Sequence, residues 1–166
     1  MDDKPPDLND VPTPQPPEFP ENLSASGAKK SAIVVGFGPV GRLVAEGLAD
    51  VGFEVTIMEA NLKTVEEQKL LGRKILLGNA CEKDDLLAAG LEAADALVLT
   101  MPSEDDALRA CRAAHAIKPE VFISARTNFV SKGLLAMQNG ADHVVVEELV
   151  TAEAMRKAVS EQLSPR

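Results

Sequence analysis

The run Gly36-Phe37-Gly38-Pro39-Val40-Gly41 constrains this chain more than any other. It follows the apolar stretch Ala32-Ile33-Val34-Val35 and opens the helical pattern Arg42-Leu43-Val44-Ala45-Glu46-Gly47-Leu48. A glycine-rich GxGxxG between a strand and a helix is the dinucleotide-binding fingerprint, whereas the same letters elsewhere would mean little. Gly36 permits the tight turn, Gly38 lets the backbone approach a pyrophosphate, and Gly41 lets the helix pack on the strand. Unpaired N–H groups at the helix start, together with its positive dipole end, then hold phosphate. Pro39 suits the first helical turn, where a missing N–H costs nothing.

The fingerprint demands a second element. An acidic residue should close the next strand, about twenty residues on, to bind the ribose hydroxyls. Phe53-Glu54-Val55-Thr56-Ile57-Met58 reads as that strand and Glu59 ends it. A carboxylate there repels a 2′-phosphate. Lys63 could soften the repulsion, but NAD(H) or a simple adenine nucleotide is favoured over NADP. The bland alternative is a glycine turn kept for packing beside an empty crevice.

From Lys30 onward, strand-like and helix-like segments alternate. Strands are expected at 31–35, 53–58, 74–77, 96–100, 121–125 and 143–146. Helices are expected at about 39–50, 62–71, 82–89, 103–117, 128–139 and 147–163. Apolar β-branched strands separated by helices imply a parallel sheet covered on both faces. The fold class is therefore α/β, a Rossmann-like doubly wound six-stranded sheet of order 3-2-1-4-5-6, with its crevice at the switch between the first and fourth strands. Ser103 is the expected cap of the fourth helix, with Glu104, Asp105 and Asp106 in its first turn. Leu149, Ala152, Met155, Val159 and Leu163 form an apolar row on the last helix. That row either covers the sheet or docks on a second subunit.

Residues 1–30 differ from the rest. They carry most of the prolines, including Pro12-Thr13-Pro14-Gln15-Pro16-Pro17, among acidic residues. Such a stretch has too little apolar surface to offset the entropy of ordering, so it is expected to be a disordered tail, with residues 31–166 the domain. It has no secretory-signal pattern, and no apolar run reaches the ~20 residues needed to span a bilayer. The net charge of −9 and the absence of Tyr and Trp argue against nucleic-acid binding. Cys81 and Cys111 have no metal or redox spacing, and His115 and His143 stand alone, so no metal site is expected and a reducing cytoplasm fits.

Strand C-termini build the crevice, so candidate ligand residues lie there. Asn79 offers an acceptor and two donors to an adenine edge, or else satisfies its own turn. Thr100-Met101-Pro102 and Gly78-Asn79-Ala80-Cys81 border the same space. Arg42 could reach a phosphate or lie on a solvated face. Arg126 could bind an anion or form an internal ion pair. Cys81 is better explained as a small buried thiol.

In order along the chain, these motifs resemble the nucleotide-binding RCK N-domain, also called the TrkA-N domain, over about residues 30–163. The matching pieces are Val34 to Gly41, Ile57-Met58-Glu59-Ala60-Asn61, Leu77-Gly78-Asn79-Ala80, Leu86 to Leu91, Ala93 to Thr100, Ile123-Ser124-Ala125-Arg126 and Gly140 to Val145. Pro39-Val40-Gly41 and Glu59-Ala60-Asn61 are most similar to the domains of Kef-like cation:proton antiporters. The resemblance implies NAD(H), AMP or another adenine nucleotide as ligand. It implies phosphate on the Gly36–Gly41 loop (Phe37, Pro39 and Val40 included), ribose on Glu59 with Ala60 and Asn61, and adenine framed by Asn79 and Ala80. The family often has Asp where Glu59 and Asn79 stand, which leaves the preferred nucleotide open.

The resemblance further implies a homodimer that regulates a potassium channel or monovalent cation antiporter. That transporter would be a separate partner or another part of the same chain. The location would be cytoplasmic, or peripheral at the inner face of the membrane through the transporter, without direct insertion. No catalytic residue is expected. An NAD-dependent oxidoreductase needs a proton-transfer group beside the nicotinamide. With no Tyr, the chain cannot carry the Tyr-Lys pair of short-chain dehydrogenases. A third reading is a module with permanently bound, structural nucleotide.

Overall fold

The computed structural model describes residues 29–164. Most of the Pro-rich segment, on which the expectation of a tail rests, lies outside the described residues. Six strands form one parallel sheet: β1 Ser31–Val35, β2 Glu54–Glu59, β3 Ile75–Leu77, β4 Ala96–Leu99, β5 Phe122–Thr127 and β6 His143–Val146. Their order is β3-β2-β1-β4-β5-β6. The helices are α1 Pro39–Asp50, α2 Leu62–Leu70, α3 Lys83–Ala88, α4 Glu104–Ile117, α5 Val130–Gln138 and α6 Glu147–Leu163. A short 3-10 turn at Leu91–Ala93 leads into β4.

Alternation along the strands divides the interior in two. Ile33, Val35, Met58, Leu97, Leu99, Ile123 and Ala125 pack with Leu86, Ala110, Cys111, Ala114 and Ala136 of α3, α4 and α5. Val34, Ile57 and Ile75 pack on the opposite face with Phe37, Ala45 and Val65, which come from the loop, α1 and α2. Each fully buried Leu or Ile contributes roughly 1.5–3 kcal/mol relative to exposure. Burial pushes the Cys111 thiol up to about 12, so it acts as an apolar core group.

Sheet order has a consequence for coverage. On the α1/α2 face, no helix among the described residues covers the β4–β6 half. Val98, Ser124, Arg126 and Val145 instead line an open cavity of about 470 Å³ there. The apolar row of α6 does not fill it. Every residue of α6 from Glu148 on is exposed, and the helix buries none of its residues. Of the two readings of that row, covering the sheet is therefore not realised.

Candidate nucleotide crevice

β1 and β4 run side by side, with Ala32 opposite Ala96 and Val35 opposite Leu99, and the chain leaves them in opposite directions. The gap above their ends is a crevice of about 410 Å³. The glycine loop forms one wall. Gly36 has φ +97, a left-handed conformation that side chains resist, and its N–H donates to the Met58 carbonyl at 2.8 Å. A Cβ on Gly41 would lie 2.0 Å from the Gly36 carbonyl oxygen. Gly41 therefore sets how closely α1 approaches β1. Gly38 is different: it caps α1 with φ −77 and ψ −170, a conformation open to any residue, and a Cβ there meets nothing within 4 Å. Its bareness serves the open space in front of the helix start, not the fold.

Glu59 is the last residue of β2. Its carboxylate accepts from the Phe37 N–H at 2.8 Å and from the Asn61 N–H at 2.9 Å. It thus ties the glycine loop to the β2 end. A carboxylate has about four lone-pair sites, so acceptor capacity remains for two ribose hydroxyls. Thr100 is buried; its hydroxyl donates to the Val35 carbonyl at 2.8 Å and sits where side chains on Gly36 or Gly41 would fall. It shapes the crevice floor.

Asn79 takes the turn role weighed from sequence while standing on the crevice wall. Its Oδ1 accepts from the Cys81 N–H at 2.9 Å, closing a local turn, and its own N–H donates to Asp85 at 2.8 Å. The side-chain NH₂ is left for the crevice, as a donor. Gly36 to Gly41, Glu59, Ala60, Asn79, Ala80, Thr100 and Arg126 all line the space. Arg42 and Asn61 do not. Asn61 caps α2, accepting from the Thr64 N–H at 3.1 Å. The Arg42 guanidinium lies 5.2 Å over the Phe37 ring, with Arg73 5.1 Å from the same ring.

Sequence reasoning missed Val35, Met58 and Asp106 as lining residues. In the sequence Asp106 shows only as a first-turn charge. Ser103 caps α4 by accepting from the Asp106 N–H at 3.3 Å, which fixes Asp106 at the mouth of the crevice. The Cys81 thiol packs against it, donating to the Asp106 carbonyl at 3.5 Å, and burial raises the Cys81 pKa. Cys81 itself is off the crevice wall.

The fold that carries this crevice is found in known proteins. The TrkA-N domain family model matches residues 32–147. The chain belongs to the TrkA-N domain family. A curated relative, the putative cation/proton antiporter YbaL of Escherichia coli (strain K12), is 32% identical over 124 residues, which is 75% of this chain and 22% of that protein. The chain thus spans about a fifth of that relative's length. The crystal structure of the TrkA-N domain of the E. coli inner membrane protein ybaL superposes with TM-score 0.74 at 29% identity, covering 80% of this chain and 98% of that one. The Shewanella denitrificans Kef C-terminal domain in AMP-bound form superposes with TM-score 0.70 at 25% identity, covering 81% and 82% of the two chains. This TrkA-N domain shares the fold and the sheet order its sequence implied. Among its described residues no helix is long and apolar enough to cross a membrane.

Proposed function

We propose that this TrkA-N domain binds an adenine nucleotide, AMP or NAD(H), and uses the binding to regulate a monovalent cation channel or cation:proton antiporter rather than to catalyse a reaction. The observation that carries the reading is the open face of Gly38 at the α1 start, beside the Glu59 carboxylate, in one crevice. Phosphate takes the helix start, where N–H groups are free and the dipole is favourable. Ribose takes the remaining lone pairs of Glu59, and the base lies toward Asn79 and Ala80. The AMP-bound Kef domain and the antiporter relative support both ligand class and partner class.

Regulation needs an output surface. The bare β4–β6 face and the exposed row Leu149, Met155, Val159 and Leu163 supply one, and we assign it to a homodimer whose arrangement the ligand biases. The bias cannot exceed the ligand's preference for one arrangement. The domain then works at the inner face of the membrane through its transporter. The test is nucleotide analysis of protein purified without added ligand, followed by thermal shift with AMP, NAD and NADP. The expected result is a melting temperature raised by AMP and NAD. No shift with any adenine nucleotide, on protein shown to be free of bound nucleotide, would reject the reading.

A further inference from the structure

Arg126 stands where the crevice meets the root of α6. It lines the nucleotide crevice and also the second cavity on the bare sheet face. Its Nη1 donates to the Thr100 carbonyl at 3.2 Å. Its Nε faces the carboxylate of Glu147, the first residue of α6, as an ion pair. That contact lacks the alignment of a hydrogen bond, and Nε is buried with no other partner among the described residues. The Arg126 side chain is 23% exposed and that of Glu147 40% exposed. The guanidinium is therefore held in a partly dry place by one hydrogen bond and an ion pair, with Nε lacking an aligned acceptor. A buried donor left unsatisfied is costly, and a guanidinium has five donors in a fixed fork suited to phosphate.

We infer that Arg126 is an anion ligand of the crevice held back by Glu147, so that nucleotide phosphate and the head of α6 compete for one guanidinium. This rests on the proposed nucleotide reading and adds its route of regulation. Phosphate offers several acceptors and aligned charge-assisted hydrogen bonds, which the Glu147 contact does not. Moving Arg126 onto phosphate frees Glu147 and loosens the root of α6. That root is otherwise tied by Glu148, whose N–H donates to the Asn128 carbonyl at 3.2 Å and whose carboxylate accepts from the Val130 N–H at 3.2 Å. The coupling is reciprocal: whatever seats α6 with Glu147 on Arg126 weakens phosphate binding by the same factor.

The experiment is calorimetric titration of adenosine, AMP and ADP into wild type, Glu147→Gln and Glu147→Gln/Arg126→Lys, with hydrogen exchange at residues 147–151 of wild type. Glu147→Gln keeps shape and removes the competing charge. AMP or ADP should bind about three- to tenfold tighter to it, while adenosine is unchanged, and Arg126→Lys should abolish the gain. In wild type, AMP or ADP should speed exchange at 147–151 and adenosine should not. Unchanged phosphate affinity in a folded Glu147→Gln, or an equal gain for adenosine, would overturn the competition while leaving the nucleotide reading intact. Unaltered exchange in wild type on saturation with ADP would overturn it without any variant. Failure of all three ligands to bind wild type would remove the nucleotide reading, and the competition with it.

Discussion

The glycine loop and helix α6 are opposite kinds of structure within one small domain. In the loop the chain satisfies itself. Gly41 is in backbone contact, Gly36 occupies a left-handed turn, Glu59 pins the Phe37 N–H, and Thr100 fills the floor. Only Gly38 faces empty space, and the opening is the size of a small ligand. In α6 only the root is tied to the rest of the chain, through Glu147 and Glu148. Its 17 residues bury none of their number, and Met155, Val159 and Leu163 stand in solvent. An isolated helix of this length is marginal in water and normally depends on packing for its stability. That contrast is what the proposed function requires: a small molecule received at one end and a macromolecular surface at the other.

The largest effect is expected at Gly41. Gly41→Ala places a methyl against backbone, which cannot yield as a side chain would. It should cost at least about 3 kcal/mol, at the top of the usual overpacking range, and lower the melting temperature by about 10 °C. A thermal scan of the variant checks this. At the other end, Met155→Glu with Val159→Glu should leave the melting temperature and nucleotide affinity nearly unchanged. The dimer dissociation constant should rise about tenfold or more, since charge replaces apolar contact. Sedimentation reads that effect, and wild-type protein that is monomeric at high micromolar concentration would remove the dimer from the account.

A smaller effect belongs to Glu59. In the proposed binding mode a 2′-phosphate would come against its carboxylate, and like charges at such range cost on the order of 1 kcal/mol or more. NAD should therefore outcompete NADP by about tenfold in competition binding, and Glu59→Gln should shrink that ratio. The smallest change concerns Ser103. Ser103→Ala removes the α4 cap at the crevice mouth and should cost about 1 kcal/mol, read by denaturant titration, with a weak effect on ligand because Asp106 loses its anchor.

The fold was legible because its determinants are local. β-branched runs such as Ala32 to Val35, glycine turns and the Ser103 cap each specify their own element, and alternation then forces the parallel order. Strand and helix bounds agree within two residues of those expected, and β2 extends to Glu59 itself. Side-chain commitments across the crevice were not legible. Whether Arg126 pairs internally depends on Glu147, which lies on another element, and the Asn79 oxygen was claimed by Cys81 through a turn that sequence could only weigh. Asp106 was visible as a first-turn charge, but its place at the crevice followed from how α4 leaves β4. The fate of the apolar row on α6 depended on which sheet face the helix leaves bare.

Gly38 is the loop glycine that the fold itself does not need, so its role falls to the ligand. Calorimetry with AMP and NAD on wild type and Gly38→Ala, beside their thermal scans, tests it directly. The expected result is one site per chain in wild type and a folded Gly38→Ala with an unchanged melting temperature, within about 0.5 kcal/mol of wild-type stability, whose affinity has fallen by about tenfold or more. Equal affinity in the folded variant would contradict the assignment of phosphate to the glycine loop.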